Sequence, residues 1–321
     1  MASSMAEKLG EEPGVRPLCE VILIAGFLGA GKTTLLRHIL EWPGDLSKTA
    51  LLVNEFGRVG IDGELLQGKT PMVELINGCI CCSLQGDMLK AIEEILDGFH
   101  PERLLIEATG VADPFDILRF LRPSNVSSRL SAPKVVTVLD ADLWEGREYF
   151  GPLFYNQIKA AALLLFNKID LLPEDQVPKY LSDIREINAD CSIIPTYHCQ
   201  VDPAVLWTPV IEHLQGSAIH LSPFHEHGSA DELGYVAFAF EEQCPFMDEC
   251  FRRFIEELPM KLYRVKGFVQ LNGKRFFLNH VGGKTEWTEL DQPGPTKLAF
   301  VGWKVDEEEV LNQLKFCLRN N

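Results

Sequence analysis

Lys32 and Thr33 close the run Gly26-Phe27-Leu28-Gly29-Ala30-Gly31-Lys32-Thr33, which fits G-x-x-x-x-G-K-[ST]. In such a loop backbone N–H groups turn inward onto phosphate oxygens, the lysine reaches the terminal phosphates and the hydroxyl ligates magnesium. Gly29, Ala30 and Thr34 would add backbone to the same cradle. Downstream, Glu107-Ala108-Thr109-Gly110 has the spacing with which nucleotidases hold magnesium through an acid and sense the γ-phosphate through a glycine N–H. On its own E-x-x-G is a weak signal that favours a strand-capping acid; behind a phosphate loop it reads as functional. Asn167-Lys168-Ile169-Asp170 is N-K-x-D. The Asp170 carboxylate can accept from guanine N1–H and the exocyclic amine together, donors that adenine lacks, while the Lys168 stem would cover the base. The expected ligand is GTP with magnesium, with Lys32, Thr33 and Glu107 as the catalytic set and Gly110, Asn167, Lys168 and Asp170 completing the nucleotide contacts.

A second constellation is Cys79, Cys81 and Cys82 in the segment Asn77-Gly78-Cys79-Ile80-Cys81-Cys82-Ser83, whereas the other six cysteines are scattered singly. In an extended backbone Cys79 and Cys81 face the same side, and Cys82 needs a turn to join them. Thiolates select zinc, copper(I) or similar soft to borderline ions, whereas magnesium and calcium take oxygen. A tetrahedral site needs a further donor, which Glu55, a histidine, water or a target protein could supply. A redox thiol pair and inert buried cysteines are the other readings of the cluster. Glu55 lies in Asn54-Glu55-Phe56-Gly57, where a nucleotide-sensing switch would stand; a surface loop with one exposed acid explains that segment equally well.

Each of these constellations, the Glu55 segment included, is delivered by an apolar run ending in a turn. Residues 21–24, 49–53, 73–76, 103–108, 134–139, 162–166 and 192–195 read as buried strands, and helical spacing falls between them at 34–42, 84–96, 114–121, 154–161, 182–188 and 202–214. The repeated alternation of strand and helix predicts a doubly wound, mostly parallel α/β sheet of the P-loop NTPase kind, with ligands at the carboxyl ends of the strands. From residue 234 the rhythm changes. Strands at 235–240, 262–271, 275–280 and 297–301 and helices at 245–258 and 306–318 predict a smaller α+β domain with its helices on one side. The resulting division is a disordered leader at 1–17, a nucleotide domain at 18–216, a linker rich in Gly, Ser, Pro and acids at 217–233, and a C-terminal domain at 234–321.

With 46 acidic against 30 basic residues in 321, the chain carries a formal charge of −16 and no long basic run. Nucleic acid and anionic membrane are therefore disfavoured as main partners. The N-terminal segment lacks the apolar core of a signal peptide, and no stretch approaches the roughly 18 apolar residues of a membrane span. Nine cysteines without an export signal predict a cytoplasmic protein with reduced thiols and no disulfide framework.

The segments GFLGAGKTTLLRHIL, NEFG, GCICC, IEATGVADP and NKID, in this order, resemble the CobW-type metallochaperone GTPases, relatives of the hydrogenase and urease nickel-insertion GTPases. The resemblance covers nearly the whole chain, since Tyr263-Arg264-Val265-Lys266-Gly267-Phe268 is similar to that group's Y-R-x-K-G-F signature. It implies a GTP-dependent metallochaperone in which Cys79, Cys81 and Cys82 bind zinc or cobalt, Thr33 and Glu107 serve magnesium, and Asn167 and Asp170 read guanine. A client metalloprotein would receive the metal, and a homodimer is among the states the resemblance allows. Two departures stand out: Val53 and Arg58 flank the NEFG segment where some members carry acids, and a long histidine-rich linker is reduced here to His220, His225 and His227.

Hydrolysis is expected to rely on positioning and charge stabilisation by Lys32, the loop amides and magnesium. Val111 stands where a water-orienting Gln would follow Gly110, so slow intrinsic turnover is expected. The rival classes are a regulatory GTPase switch with a purely structural metal or thiol site, and a small-molecule kinase on the same scaffold.

Overall fold

The computed structural model describes residues 18–56, 72–77, 83–122, 124–208 and 234–318, with backbone alone at 54–56, 72–77 and 83–87. The leader, the whole linker with His220, His225 and His227, and the Cys79–Cys82 segment lie outside the described residues. In chain order the first unit runs β1 (Glu20–Ala25), α1 (Lys32–Glu41), β2 (Thr49–Phe56), β3 (Met72–Asn77), α2 (Ser83–Gly98), β4 (Arg103–Glu107), α3 (Pro114–Leu121), β5 (Lys134–Asp140), α4 (Gly151–Ala160), β6 (Leu163–Asn167), α5 (Gln176–Ile187), β7 (Ser192–Pro195) and α6 (Ala204–Trp207). Its seven strands lie in the order β3-β2-β4-β1-β5-β6-β7 and every pairing is parallel.

The unbroken apolar run of β1 has a direct reason. Val21, Leu23 and Ala25 enter a core with Met88, Ile92 and Ile95 of α2 and Ile117 of α3, while Ile22 and Ile24 enter another with Leu35, Leu36 and Ile39 of α1. Because side chains alternate across a strand, a strand covered on both faces must be apolar at consecutive positions. The central strand is thus fixed from two sides, and its carboxyl end becomes a rigid base for the loop that follows.

The second unit comprises β8 (Tyr235–Glu242), α7 (Asp248–Glu256), β9 (Arg264–Leu271), β10 (Lys274–Val281), β11 (Lys284–Leu290), β12 (Thr296–Trp303) and α8 (Glu307–Phe316). Its five strands form an antiparallel sheet in the order β11-β10-β9-β12-β8. Phe251, Phe254 and Ile255 of α7 and Val310 and Leu314 of α8 pack on one face, against Val265, Val269, Leu278, Leu298 and Phe300. The other face reaches the first unit at one end: Tyr235, Tyr263 and Val301 share a core with Phe27, Phe150 and Phe154.

Several elements differ from expectation. The expected set lacks β11, Lys-Thr-Glu-Trp-Thr-Glu-Leu, because it is an edge strand whose charged side chains face solvent, a composition that discourages edge pairing and hides the apolar signal. Helix α5 starts at Gln176 rather than 182, and α6 ends at Trp207, with residues 209–214 outside the described set. The expectation of wholly reduced cysteines is corrected: Cys250 and Cys317 form a disulfide across a Cα–Cα distance of 5.3 Å. The two are 67 residues apart in the chain, and only the packing of α7 and α8 on one sheet face brings them together. Cys19, Cys191 and Cys199 are free and buried, and Cys244 is free and exposed. No helix among the described residues is long and apolar enough to cross a membrane.

Candidate nucleotide site

The phosphate loop spans the gap between β1 and α1, and two of its glycines are required on steric grounds. Gly26 has φ 139°, and a Cβ there would run into the Val138 carbonyl oxygen on neighbouring β5. Gly31 has φ 117°, and a Cβ would stand 2.6 Å from Asn167 Nδ2 and 2.8 Å from Cys199 Sγ. Both backbone conformations are ones that side chains with a Cβ rarely adopt. Within the curl, Lys32 is buried and its ammonium donates to the carbonyls of Gly26 at 2.9 Å and Phe27 at 3.2 Å. The loop therefore wraps around its own lysine, which holds the cation at the mouth where terminal phosphates would lie.

The next side chain, Thr33, donates from Oγ1 to Glu107 Oε1 at 3.5 Å. Strand register explains the meeting: β4 lies beside β1 with Ile24 opposite Glu107, so the last residue of β4 ends alongside the start of the loop. Glu107 is buried at 6% exposure. A hydroxyl and an anionic carboxylate side by side are hard oxygen donors, the chemistry magnesium takes. These residues fit the ion that the motif calls for.

The loop after Glu107 is braced by α4. Asp113 caps α3 by accepting from the Phe115 N–H at 2.9 Å, and Asn156 Nδ2 donates to its other oxygen at 2.7 Å. Gln157 Nε2 donates to the Gly110 carbonyl at 3.4 Å and the Ala112 carbonyl at 3.5 Å, and Thr137 Oγ1 donates to the Gln157 carbonyl at 2.8 Å. Val111 is buried in the same core as Phe27 and Leu28. Sequence reasoning missed Asn156 and Gln157; two amides in an otherwise apolar helix face were the available signal.

At the other end, Asn167 ties three segments together. Its Nδ2 donates to the Ala30 carbonyl at 2.8 Å, and its Oδ1 accepts from Thr196 Oγ1 at 3.1 Å and from the Cys199 N–H at 2.8 Å. Asn167 thus spends its polar atoms bracing the phosphate loop against the β6 and β7 ends, while Asp170 is exposed and Lys168 half-buried. Lys168 has φ 65°, and its ammonium donates to Asp140 Oδ2 at 2.6 Å. Burial pushes the Asp140 carboxyl above the usual carboxylate range, with the neighbouring Lys168 opposing that rise. Cys199 donates from Sγ to the Gly31 carbonyl at 3.3 Å, and burial pushes its thiol up to about 12, so it stays a protonated donor at neutral pH. His198 and Cys199 have φ 49° and 52°, left-handed values of the kind that cluster at ligand clamps. The segment from Thr196 to Cys199 and the strand-end acid Asp140 were both missed from sequence. Asp140, following an apolar strand as Glu107 does, could have been found by that analogy.

Phosphate loop, acid and N-K-x-D therefore meet at the carboxyl edge of β4, β1, β5 and β6. The expected metal residues do not join this description: Cys79, Cys81 and Cys82 lie outside the described residues. The backbone places Glu55 two positions beyond Val53, which pairs with Glu107. Among the described residues no group of three or more His, Cys, Asp or Glu could hold a metal ion.

Residues 20–195 match the family model CobW/HypB/UreG, nucleotide-binding domain, and residues 235–318 match Cobalamin synthesis protein cobW C-terminal domain. The zinc chaperone CobW of Pseudomonas aeruginosa is 26% identical over 347 aligned residues, covering 93% of this chain and 91% of that protein. The zinc chaperone YjiA of Escherichia coli is 29% identical over 308, covering 90% and 96%. A crystal structure of Zn(II)-bound YjiA GTPase from E. coli is 23% identical, covers 94% of this chain and 99% of that chain, and has a TM-score of 0.48. The first family match alone takes in more than half of the sequence, so this chain belongs to the CobW/HypB/UreG family, as a P-loop GTPase with a CobW-type C-terminal domain.

Proposed function

We propose that the protein is a GTP-hydrolysing metallochaperone of the cytoplasm that carries zinc, or cobalt, on Cys79, Cys81 and Cys82 and passes it to a client metalloprotein. The observation that best supports the GTPase half is the facing pair Thr33 and Glu107, 3.5 Å apart beside the buried ammonium of Lys32. The metal half is supported by the Cys-x-Cys-Cys spacing and by the zinc chaperones named among its relatives.

In this reading Lys32 and the amides of Gly29 to Thr34 hold the phosphates, and Thr33 with Glu107 would hold magnesium, which when bound neutralises charge on the β- and γ-phosphate oxygens. Asp170 reads the guanine edge. Gly110, whose carbonyl accepts from Gln157, would sense the γ-phosphate through its N–H. Val111 offers no group to orient a water, so turnover of the isolated protein falls below the roughly 1–100 s⁻¹ of dedicated phosphotransferases. Residues 18–216 act as the GTPase unit, 217–233 as the linker and 234–321 as the companion domain.

The deciding experiment is an anaerobic titration of the reduced full chain with zinc and with cobalt(II), read by chelator competition and cobalt–thiolate absorption, with and without magnesium and a non-hydrolysable GTP analogue. Thiolate ligation whose affinity shifts several-fold with nucleotide supports a GTP-gated carrier. Tight ligation indifferent to nucleotide would instead make the metal structural and the protein a regulatory switch.

A further inference from the structure

Asp140 is an acid that phosphate and magnesium chemistry leave unused. It ends β5, pairs in register with Asn167 on β6, and is 3% exposed. A carboxylate removed from water is unfavourable unless it is paired and hydrogen-bonded. Both conditions are met: Oδ1 accepts from the Asp142 N–H at 3.1 Å, and Oδ2 accepts from Lys168 Nζ at 2.6 Å. The lysine is the second residue of N-K-x-D, and its own backbone is left-handed at φ 65°. Backbone and ammonium are therefore fixed at opposite ends of the same side chain, which confines the four-carbon stem to the span between the Lys168 backbone and the Asp140 carboxylate.

We propose that Asp140 is a positioning residue of the nucleotide site: by anchoring the Lys168 ammonium it lays the lysine stem as a fixed platform beneath the guanine ring. The proposal rests on the reading of N-K-x-D as the base site. It divides the labour by geometry. A stem lies against the face of the ring, which every purine has, whereas Asp170 reads the edge, which distinguishes purines. Loss of Asp140 should therefore weaken all nucleotides that the site accepts by a common factor. Loss of Asp170 should instead erase discrimination.

The test uses the full chain and displacement of a fluorescent GDP by GTP, GDP, ITP and ATP, with thermal unfolding measured in parallel. Wild type should prefer GTP to ATP; equal affinity would overturn the N-K-x-D reading itself. With that preference in place, Asp140→Asn should lose about tenfold in affinity for GTP, GDP and ITP alike, the scale of one charge-assisted hydrogen bond. The loss should appear in KM rather than kcat. Lys168→Met should show the same pattern, and the double variant should lose no more than the worse single one. Asp140→Glu, which keeps the charge, should recover most of the affinity. Unchanged affinities in Asp140→Asn, with only a lower melting temperature, would reduce the pair to a structural ion pair and overturn the proposal. So would losses that multiply in the double variant. If Asp140→Asn does not fold, wild-type affinity in Lys168→Met overturns the proposal by itself.

Discussion

Gly29 of the phosphate loop and Val281 at the end of β10 are in direct contact: a Cβ placed on Gly29 would stand 2.9 Å from Val281 Cγ1. The C-terminal sheet thus touches the loop that would hold the phosphates. Around this point Tyr263 packs on Phe27 with ring centroids 4.9 Å apart, the Gly282 N–H donates to the Tyr263 carbonyl at 3.0 Å, and Lys284 pairs with Asp142. Tyr235 adds a buried link by donating to the Phe150 carbonyl at 2.8 Å while accepting from the Leu153 N–H at 2.9 Å.

Such a seam makes substitutions at Gly29 and Val281 interdependent. Gly29→Ala should weaken GTP binding, because φ is 75° and the new methyl meets Val281. Val281→Ala in the same chain should restore part of the loss by removing the clash, the remainder being the backbone strain of about 1 kcal/mol or more. Titration of the single and double variants with a fluorescent GDP checks this. Independent losses would show that the seam does not bear on the loop.

Glu107→Gln should lower phosphate release on the order of 100-fold, the scale of removing one preorganised electrostatic contact from a transition state. The residual rate should need more magnesium, while nucleotide binding in the presence of EDTA changes little. Steady-state assays over a magnesium series test both statements. An unaltered magnesium dependence would remove Glu107 from the ion's ligands.

Asn167→Ala deletes three hydrogen bonds at once and leaves the Ala30 carbonyl and the Cys199 N–H without that partner. The nucleotide-free protein should lose about 2–4 kcal/mol of stability. A pure base reader would show its effect only with nucleotide bound. Denaturant unfolding without nucleotide separates the two roles.

Burial raises the Cys19 and Cys191 thiols to about 11 and Cys199 to about 12, from an ordinary value of 9.0. The unfolded chain therefore releases these protons first. Their contribution to stability is complete below about pH 9 and is lost as pH rises toward 11–12. The melting temperature should fall over that window, and Cys19→Ala/Cys191→Ala should flatten the fall. An identical profile in the double variant would assign the loss to other groups.

The sequence by itself determined the nucleotide chemistry and its scaffold. Gly26, Gly31, Lys32 and Thr33 are local: their spacing dictates the curl of one loop, and the apolar run before them dictates a strand covered on both faces. The order of strands and helices then follows from alternating periodicity, which is a property of neighbours in the chain. Even so, the polar edge strand β11 escaped, since only Trp287 among its residues packs on the core and its charged neighbours mask that signal.

What only the tertiary structure decided are the relations between distant segments. That Asn167 braces the Ala30 carbonyl, that Asp140 anchors Lys168, that Cys250 meets Cys317 and that Val281 rests on Gly29 depend on which strands lie side by side and which helices share a sheet face. No periodicity encodes those meetings. They are set by packing, where the area removed from water and the pairing of buried polar groups select one arrangement among many that share the same local pattern.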